Sequence, residues 1–250
     1  MACFVLVHGA WHGGWCWRDV AKILRKRGHD VFTPTLTGLG ERSHLMSPDI
    51  DMNTHILDVV NVIEWEELDD VILVGHSYGG NVITGVADRI KDRLRHVVYL
   101  DAFIPEDGES PASHMMKVLN PAVTDQEIEA NIALRRAAAD ELGGSHTHYT
   151  NLFDIPEDKP EQYDWVKRRI TRHPVRAQVS PMKLENGGSD GIPRTYILCT
   201  ERPERTAFMV LAERFKGATG WTSRELPTGH DAMVTMPEET AALLMEAAGG

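Results

Sequence analysis

Val71-Ile72-Leu73-Val74-Gly75-His76-Ser77-Tyr78-Gly79-Gly80 is an apolar run that breaks into a serine bracketed by glycines. Four apolar residues without polar alternation suit a strand buried on both faces of a parallel sheet. Asn81–Asp92 follows with helical spacing. Gly-x-Ser-x-Gly between a strand and a helix puts the serine on a very tight turn, its hydroxyl projecting from the carboxyl edge of the sheet. Gly75 and Gly79 carry no Cβ, so strand and helix can close around that turn. The first N–H groups of the helix aim at the same place and favour negative charge there. An incidental glycine-rich turn would not need those strand and helix flanks.

Outward from this corner the chain alternates. Cys3–His8 (CFVLVH) reads as a buried strand, Trp15–Arg27 as a helix, and Asp30–Thr33 as a strand stopped by Pro34. Thr54–Glu66 is a helix with Ile56, Val59, Val60 and Ile63 on one side, and Val97–Leu100 is a strand. Alternation of this kind predicts an α/β chain, a mostly parallel sheet with helices on both faces. The regularity stops after Asp101. Residues 105–191 show helical patches, clearest at Thr124–Leu142 and Glu161–Ile170, and no convincing buried strand. It then resumes with a strand at Thr195–Cys199, a helix at Arg205–Lys216, a strand at Trp221–Glu225 and a helix at Pro237–Ala248. The expected domains are a core of residues 1–104 and 192–250 and a helical cap of residues 105–191, because a structureless loop of that length is improbable.

The chain has 250 residues, 42% of them apolar, with 37 acidic against 26 basic side chains and a net charge of −11. That balance argues against nucleic acid and against an anionic membrane surface as partners, since both call for concentrated positive charge. Three cysteines, Cys3, Cys16 and Cys199, lack metal-site spacing and fit a reducing compartment. Neither a signal-peptide start nor a run near ~18 apolar residues is present, so the expected location is the cytoplasm.

A serine nucleophile needs a base. His230 lies in Thr228-Gly229-His230-Asp231, between the last strand and the last helix, and is the only histidine of that region. Two carboxylates compete to orient it. Glu201 lies in the loop after the strand Thr195–Cys199. Asp101 ends the strand that follows the nucleophile helix, beside the nucleophile strand, and is the favoured choice. The oxyanion hole needs two backbone donors. The Tyr78 N–H follows the nucleophile, and the Ala10 N–H belongs to the glycine-rich loop His8-Gly9-Ala10-Trp11-His12-Gly13-Gly14. That loop has neither the dinucleotide pattern nor a Walker lysine. Trp11, Phe103 and Met233 are candidate pocket walls. Tyr149, Phe153, Tyr163 and Trp165 read as cap core first and as substrate wall second. His146-Thr147-His148 lacks an acidic or cysteine partner at ligand spacing and reads as surface loop, so no metal is expected.

Phe4-Val-Leu-Val-His-Gly-Ala-Trp-His-Gly-Gly-Trp15, then Gly-His-Ser77-Tyr-Gly-Gly, then Gly-His230, resembles the plant methylesterase and hydroxynitrile lyase group of α/β hydrolases, which has bacterial relatives of similar length. The resemblance covers nearly the whole chain and is weakest in the cap. It implies the α/β-hydrolase fold with a small helical cap, no cofactor, hydrolysis of small esters, and homodimers, which are common there. The lyases of that group carry a threonine after the first-strand histidine and a lysine after the catalytic histidine; here Gly9 and Asp231 stand in those places. The group's usual acid falls at Arg202, which is why Asp101 and Glu201 compete. The expected activity is a serine carboxylesterase acting on small apolar or aromatic esters. Its alternatives are cyanohydrin cleavage and a ligand-binding sensor with negligible turnover.

Overall fold

The computed structural model describes residues 1–140, 143–146, 153–156, 158–202 and 204–249. In chain order its strands are β1 (Cys3–Val7), β2 (Asp30–Phe32), β3 (Val71–His76), β4 (Leu94–Leu100), β5 (Ser145–His146), β6 (His173–Pro174), β7 (Arg194–Cys199) and β8 (Trp221–Leu226). All but β5 and β6 form one parallel sheet in the order β2-β1-β3-β4-β7-β8. Successive side chains of a strand point to opposite faces, and both faces are covered. Val5, Val7, Leu73 and Tyr99 pack towards α2 (Met52–Trp65), α3 (Gly79–Arg89) and α8 (Ala207–Phe215). Phe4, Leu6, Ile72 and Leu100 pack towards α1 (Arg18–Lys26) and α10 (Pro237–Ala247). Double coverage is why these strands read as continuous apolar runs rather than alternating ones.

Local signals set the helix boundaries. α2 opens on a capping box in which the Asp51 carboxylate accepts from the Thr54 N–H, and Ile56, Val59, Val60 and Ile63 form its buried stripe. α3 begins two residues before the expected Asn81, because the turn carrying Ser77 runs directly into it, and it ends at Arg89. The helix expected over 15–27 divides into a 3-10 turn, Gly14–Trp17, and α1.

Between β4 and β7 lie α4 (Pro111–Leu119), α5 (Asp125–Asp140), α6 (Pro160–Lys167) and α7 (Val175–Val179). α4 went unread in the sequence, although Ser110 and Ser113 form a reciprocal capping box and Pro111 occupies the first turn. The β5–β6 antiparallel pair was not expected; two residues per strand are too few to show a period. This segment has small apolar clusters of its own. Ala112, Ala139, Val175 and Val179 form one. Phe153, Ile155 and Val166 form another, which packs on Trp11, Trp15 and Val234. Tyr163 and Trp165 lie against this second cluster, as cap-core residues should. Tyr149, Thr147 and His148 lie outside the described residues. Among the described residues no helix is long and apolar enough to cross a membrane.

Candidate active site

The chain leaves β1 for β2 on one side and returns to β3 on the other, so the carboxyl ends of β1 and β3 flank a topological switch point, where open α/β sheets bind ligands. Ser77 stands there at φ +55°, a left-handed conformation that a serine holds only under constraint. The cost is about 1–3 kcal/mol. Burial of Val71, Ile72, Leu73 and Val74, each 0% exposed, outweighs it at about 1.5–3 kcal/mol apiece. The flanking glycines explain the constraint. A Cβ on Gly75 would lie 2.7 Å from the Gly79 carbonyl oxygen, and one on Gly79 would lie 2.7 Å from that of His8. Any side chain at either place would push the helix off the strand.

The neighbouring strands bring the other groups to this edge. The Ser77 N–H donates to the Leu100 carbonyl (3.2 Å) and the Ser77 carbonyl accepts from Phe103 N–H (3.2 Å), so Ser77 lies against the end of β4. Asp101 follows β4 at φ +43° with its side chain fully buried. His230, 6% exposed, comes from the loop after β8, and its Nδ1 meets Asp101 Oδ2 at 2.5 Å. Its ring packs 4.4 Å from that of His76, the residue before Ser77. Its backbone is pinned twice: its N–H donates to the Phe153 carbonyl (2.9 Å) and its carbonyl accepts from His76 Nε2–H (3.0 Å). With Nδ1 facing a carboxylate, Nδ1 carries the ring proton and the tautomer is set.

Asp101 has two more partners. Its Oδ1 accepts from Cys199 N–H (3.2 Å) and its Oδ2 from Arg202 Nη2 (3.1 Å). Burial pushes its carboxyl up to about 7, and the Arg202 charge pulls the other way. Arg202 also donates from Nη1 to Asp154 Oδ2 (2.8 Å), tying the sheet edge to the segment between β4 and β7. Glu201 is exposed, and the structure brings Asp101 rather than Glu201 to the His230 ring.

The loop after β1 closes the other side. A Cβ on Gly9 would lie 3.0 Å from Ser77 Cβ. His8 is fully buried, donates from Nδ1 to the Gly9 carbonyl (2.8 Å) and accepts at Nε2 from Leu36 N–H (3.0 Å); burial holds it neutral, down to about 3. Ala10 is 4% exposed, and among the described residues neither the Ala10 nor the Tyr78 N–H donates a hydrogen bond within the protein. The Tyr78 hydroxyl points elsewhere, donating to His55 Nδ1 (2.8 Å), while His55 Nε2–H donates to the Thr37 carbonyl (3.0 Å).

The surroundings are aromatic. Phe208 of α8 stacks on His230 at 4.8 Å, and Phe103 packs on Phe208 at 4.7 Å. Trp11, half-buried at φ +64°, lies 6.2 Å from Phe153 and 5.9 Å from His173. Phe103 and Trp11, both expected as pocket walls, are partly buried within this aromatic group. Met233, the third expected wall, is not part of it. It is 0% exposed and buried with Phe4, Leu6 and Trp17 beneath the α1 and α10 layer, because α9 (Ala232–Thr235) turns that side chain into the core. The sequence reading missed Phe208 and ranked Phe153 as cap core ahead of substrate wall. An aromatic two residues into a late helix looks like any core residue. Among the described residues no cluster of three or more His, Cys, Asp or Glu could hold a metal ion.

A model of the alpha/beta hydrolase family matches residues 4–243. The carbendazim hydrolyzing esterase of Nocardioides sp. (strain SG-4G) is 49% identical over 242 residues, covering 96% of this chain and 97% of that one. Methylesterase 2 of Arabidopsis thaliana is 26% identical over 219 residues, 79% of this chain and 77% of its own. Among solved structures, an extracellular alpha/beta-hydrolase from a Paenibacillus species, described as sharing homology with tobacco salicylic acid binding protein 2, superposes with a TM-score of 0.79 at 26% identity over 99% of each chain. The chain belongs to the alpha/beta hydrolase family, and its reaction class is carboxylic ester hydrolysis.

Proposed function

We propose that Ser77, His230 and Asp101 form the catalytic triad of this ester hydrolase, with the Ala10 and Tyr78 N–H groups as its oxyanion hole. His230 Nε2 takes the Ser77 hydroxyl proton as Oγ attacks the ester carbonyl carbon. The carbonyl oxygen becomes an oxyanion and receives the two backbone N–H groups, donors already in place before the charge develops. The Asp101 carboxylate stabilises the imidazolium that forms. His230 then gives the proton to the departing alcohol oxygen as the tetrahedral intermediate collapses to an acyl-Ser77. Water, deprotonated by the same nitrogen, attacks the acyl carbon and releases the acid. The observation that carries this reading is the 2.5 Å contact of His230 Nδ1 with Asp101 Oδ2 at the strand end where Ser77 sits at positive φ.

The pocket is read as lying between the sheet edge and residues 105–191, which act as a cap. Phe103, Phe208, Trp11 and Phe153 support a flat, apolar or aromatic ester as substrate. Carbendazim, which the relative's name gives as its substrate, is the first compound to assay beside p-nitrophenyl acetate. The free thiols of Cys3, Cys16 and Cys199 support a reducing, cytoplasmic setting. Ser77→Ala is expected to lower kcat on the order of 10⁴-fold or more with the fold intact by circular dichroism. Retained turnover in that variant overturns the assignment.

A further inference from the structure

Asp231 follows His230 directly but takes no part in the triad geometry. Its carboxylate is fully buried and its Oδ2 meets His12 Nε2 at 3.0 Å. His12 is itself 1% exposed, and its other nitrogen, Nδ1, lies 2.8 Å from the Ala10 carbonyl oxygen. A carboxylate and a carbonyl only accept, so both ring nitrogens carry protons and His12 is an imidazolium. Burial pulls His12 down, but the Asp231 charge and both hydrogen bonds outweigh it and hold the ring above its ordinary value. Burial likewise pushes Asp231 up, and His12 outweighs it, so Asp231 lies below its ordinary value. The groups facing His12 are Asp231, His8 and His76, with the Trp15 ring stacked at 5.2 Å and Phe153 at 4.5 Å.

The pair reaches all three parts of the proposed site. Through Nδ1, His12 holds the Ala10 carbonyl across Trp11, whose φ of +64° is costly for a tryptophan. Through its own backbone, Asp231 continues His230, and its carbonyl accepts from the Val234 and Thr235 N–H groups (2.8 and 3.0 Å) within α9. Its Oδ1 lies 3.9 Å from His76 Nε2, the atom that donates to the His230 carbonyl, and His76 precedes Ser77. Stability alone is a poor reason for such a pair, since apolar side chains of similar volume often do as well in a buried place. Fixing a geometry is a better one.

We propose that His12 and Asp231 are a positioning pair, which holds the Ala10 loop, the end of β3 and the His230 backbone in one fixed arrangement for transition-state stabilisation. The proposal rests on the triad and oxyanion-hole reading above. Its test is Asp231→Asn, which keeps the shape and an acceptor for His12 but removes the charge. The expected result is a kcat lowered about 10–100-fold with KM within about twofold, the pattern of an interaction felt in the transition state. The rate at which a fluorophosphonate probe labels Ser77 should fall by the same factor, because labelling uses the serine, the base and the oxyanion hole but no ester-binding step. The double variant H12F/D231L, which leaves no buried charge unpartnered, should be folded and show about the same loss as Asp231→Asn rather than a larger one; it carries the test where the single variant does not fold. Folded variants with wild-type kcat and labelling rate overturn the proposal, as does a loss confined to KM. If the wild-type enzyme itself is not labelled at Ser77, it is the triad reading that fails.

Discussion

Two buried histidine–aspartate pairs meet at the carboxyl edge of the sheet, His230 with Asp101 and His12 with Asp231, and their surroundings make them opposites. His12 has an acceptor at each ring nitrogen, so its protons are committed. Asp231 is held below its ordinary value by that imidazolium. Asp101 instead rises to about 7, because burial acts on it and Arg202 offsets only part of the effect. The His12–Asp231 pair is held in one charge state by its hydrogen bonds, whereas burial raises the carboxyl of the His230–Asp101 pair. The same two residue types thus support a scaffold role or a chemical one, according to how many acceptors the imidazole meets.

The sharpest way to break this comparison is to neutralise each aspartate in turn. Asp101→Asn presents an amide to His230 Nδ1 and lets the ring adopt the wrong tautomer; kcat should fall about 10³–10⁴-fold, well beyond the loss expected at Asp231. Steady-state kinetics on p-nitrophenyl acetate read both, and a larger effect at Asp231 would reverse the roles. Next is Arg202→Met. Arg202 lowers the Asp101 carboxyl, so removing its charge raises it, and at a given acidic pH more of Asp101 is protonated and lost to His230. The acid limb of kcat/KM should move up by about one pH unit, with activity recovered on the alkaline side. A profile superposable on that of the wild type would show that Arg202 does not act on the acid. The smallest effect belongs to Glu201→Gln. Glu201 is exposed, so kcat should stay within about twofold. A large loss there would return the acid to the loop after β7.

The parts of this molecule governed by burial on both faces were legible in the sequence. β1, β3 and β4 carry unbroken apolar runs because they have helices above and below, and the turn at Ser77 announces itself through two glycines that nothing else could replace. His230 was legible from its place after the last strand. Asp101 was legible as a candidate only, since deciding against Glu201 needs the 2.5 Å contact that strand order creates. What spacing could not convey were contacts between distant segments. The Arg202 bridge to Asp101 spans 101 residues and the His12–Asp231 bond spans 219. Met233 was misplaced for a local reason: one turn of α9 decides whether its side chain faces the pocket or the core. α4 was missed although its Ser110 capping box is written in the sequence, because only part of one face is buried and the apolar stripe is short.

The central claim is that Ser77 carries the acyl group. It is tested most directly by quenching the enzyme during turnover of p-nitrophenyl acetate and locating the acetyl group by peptide mass spectrometry. The account predicts one acetyl on the peptide containing Ser77, absent from Ser77→Ala and trapped in larger amount when His230 is replaced by alanine and acylation is driven with excess ester. Rapid release of acetate with no adduct on that peptide, or an adduct on another residue whose loss stops turnover, would contradict it.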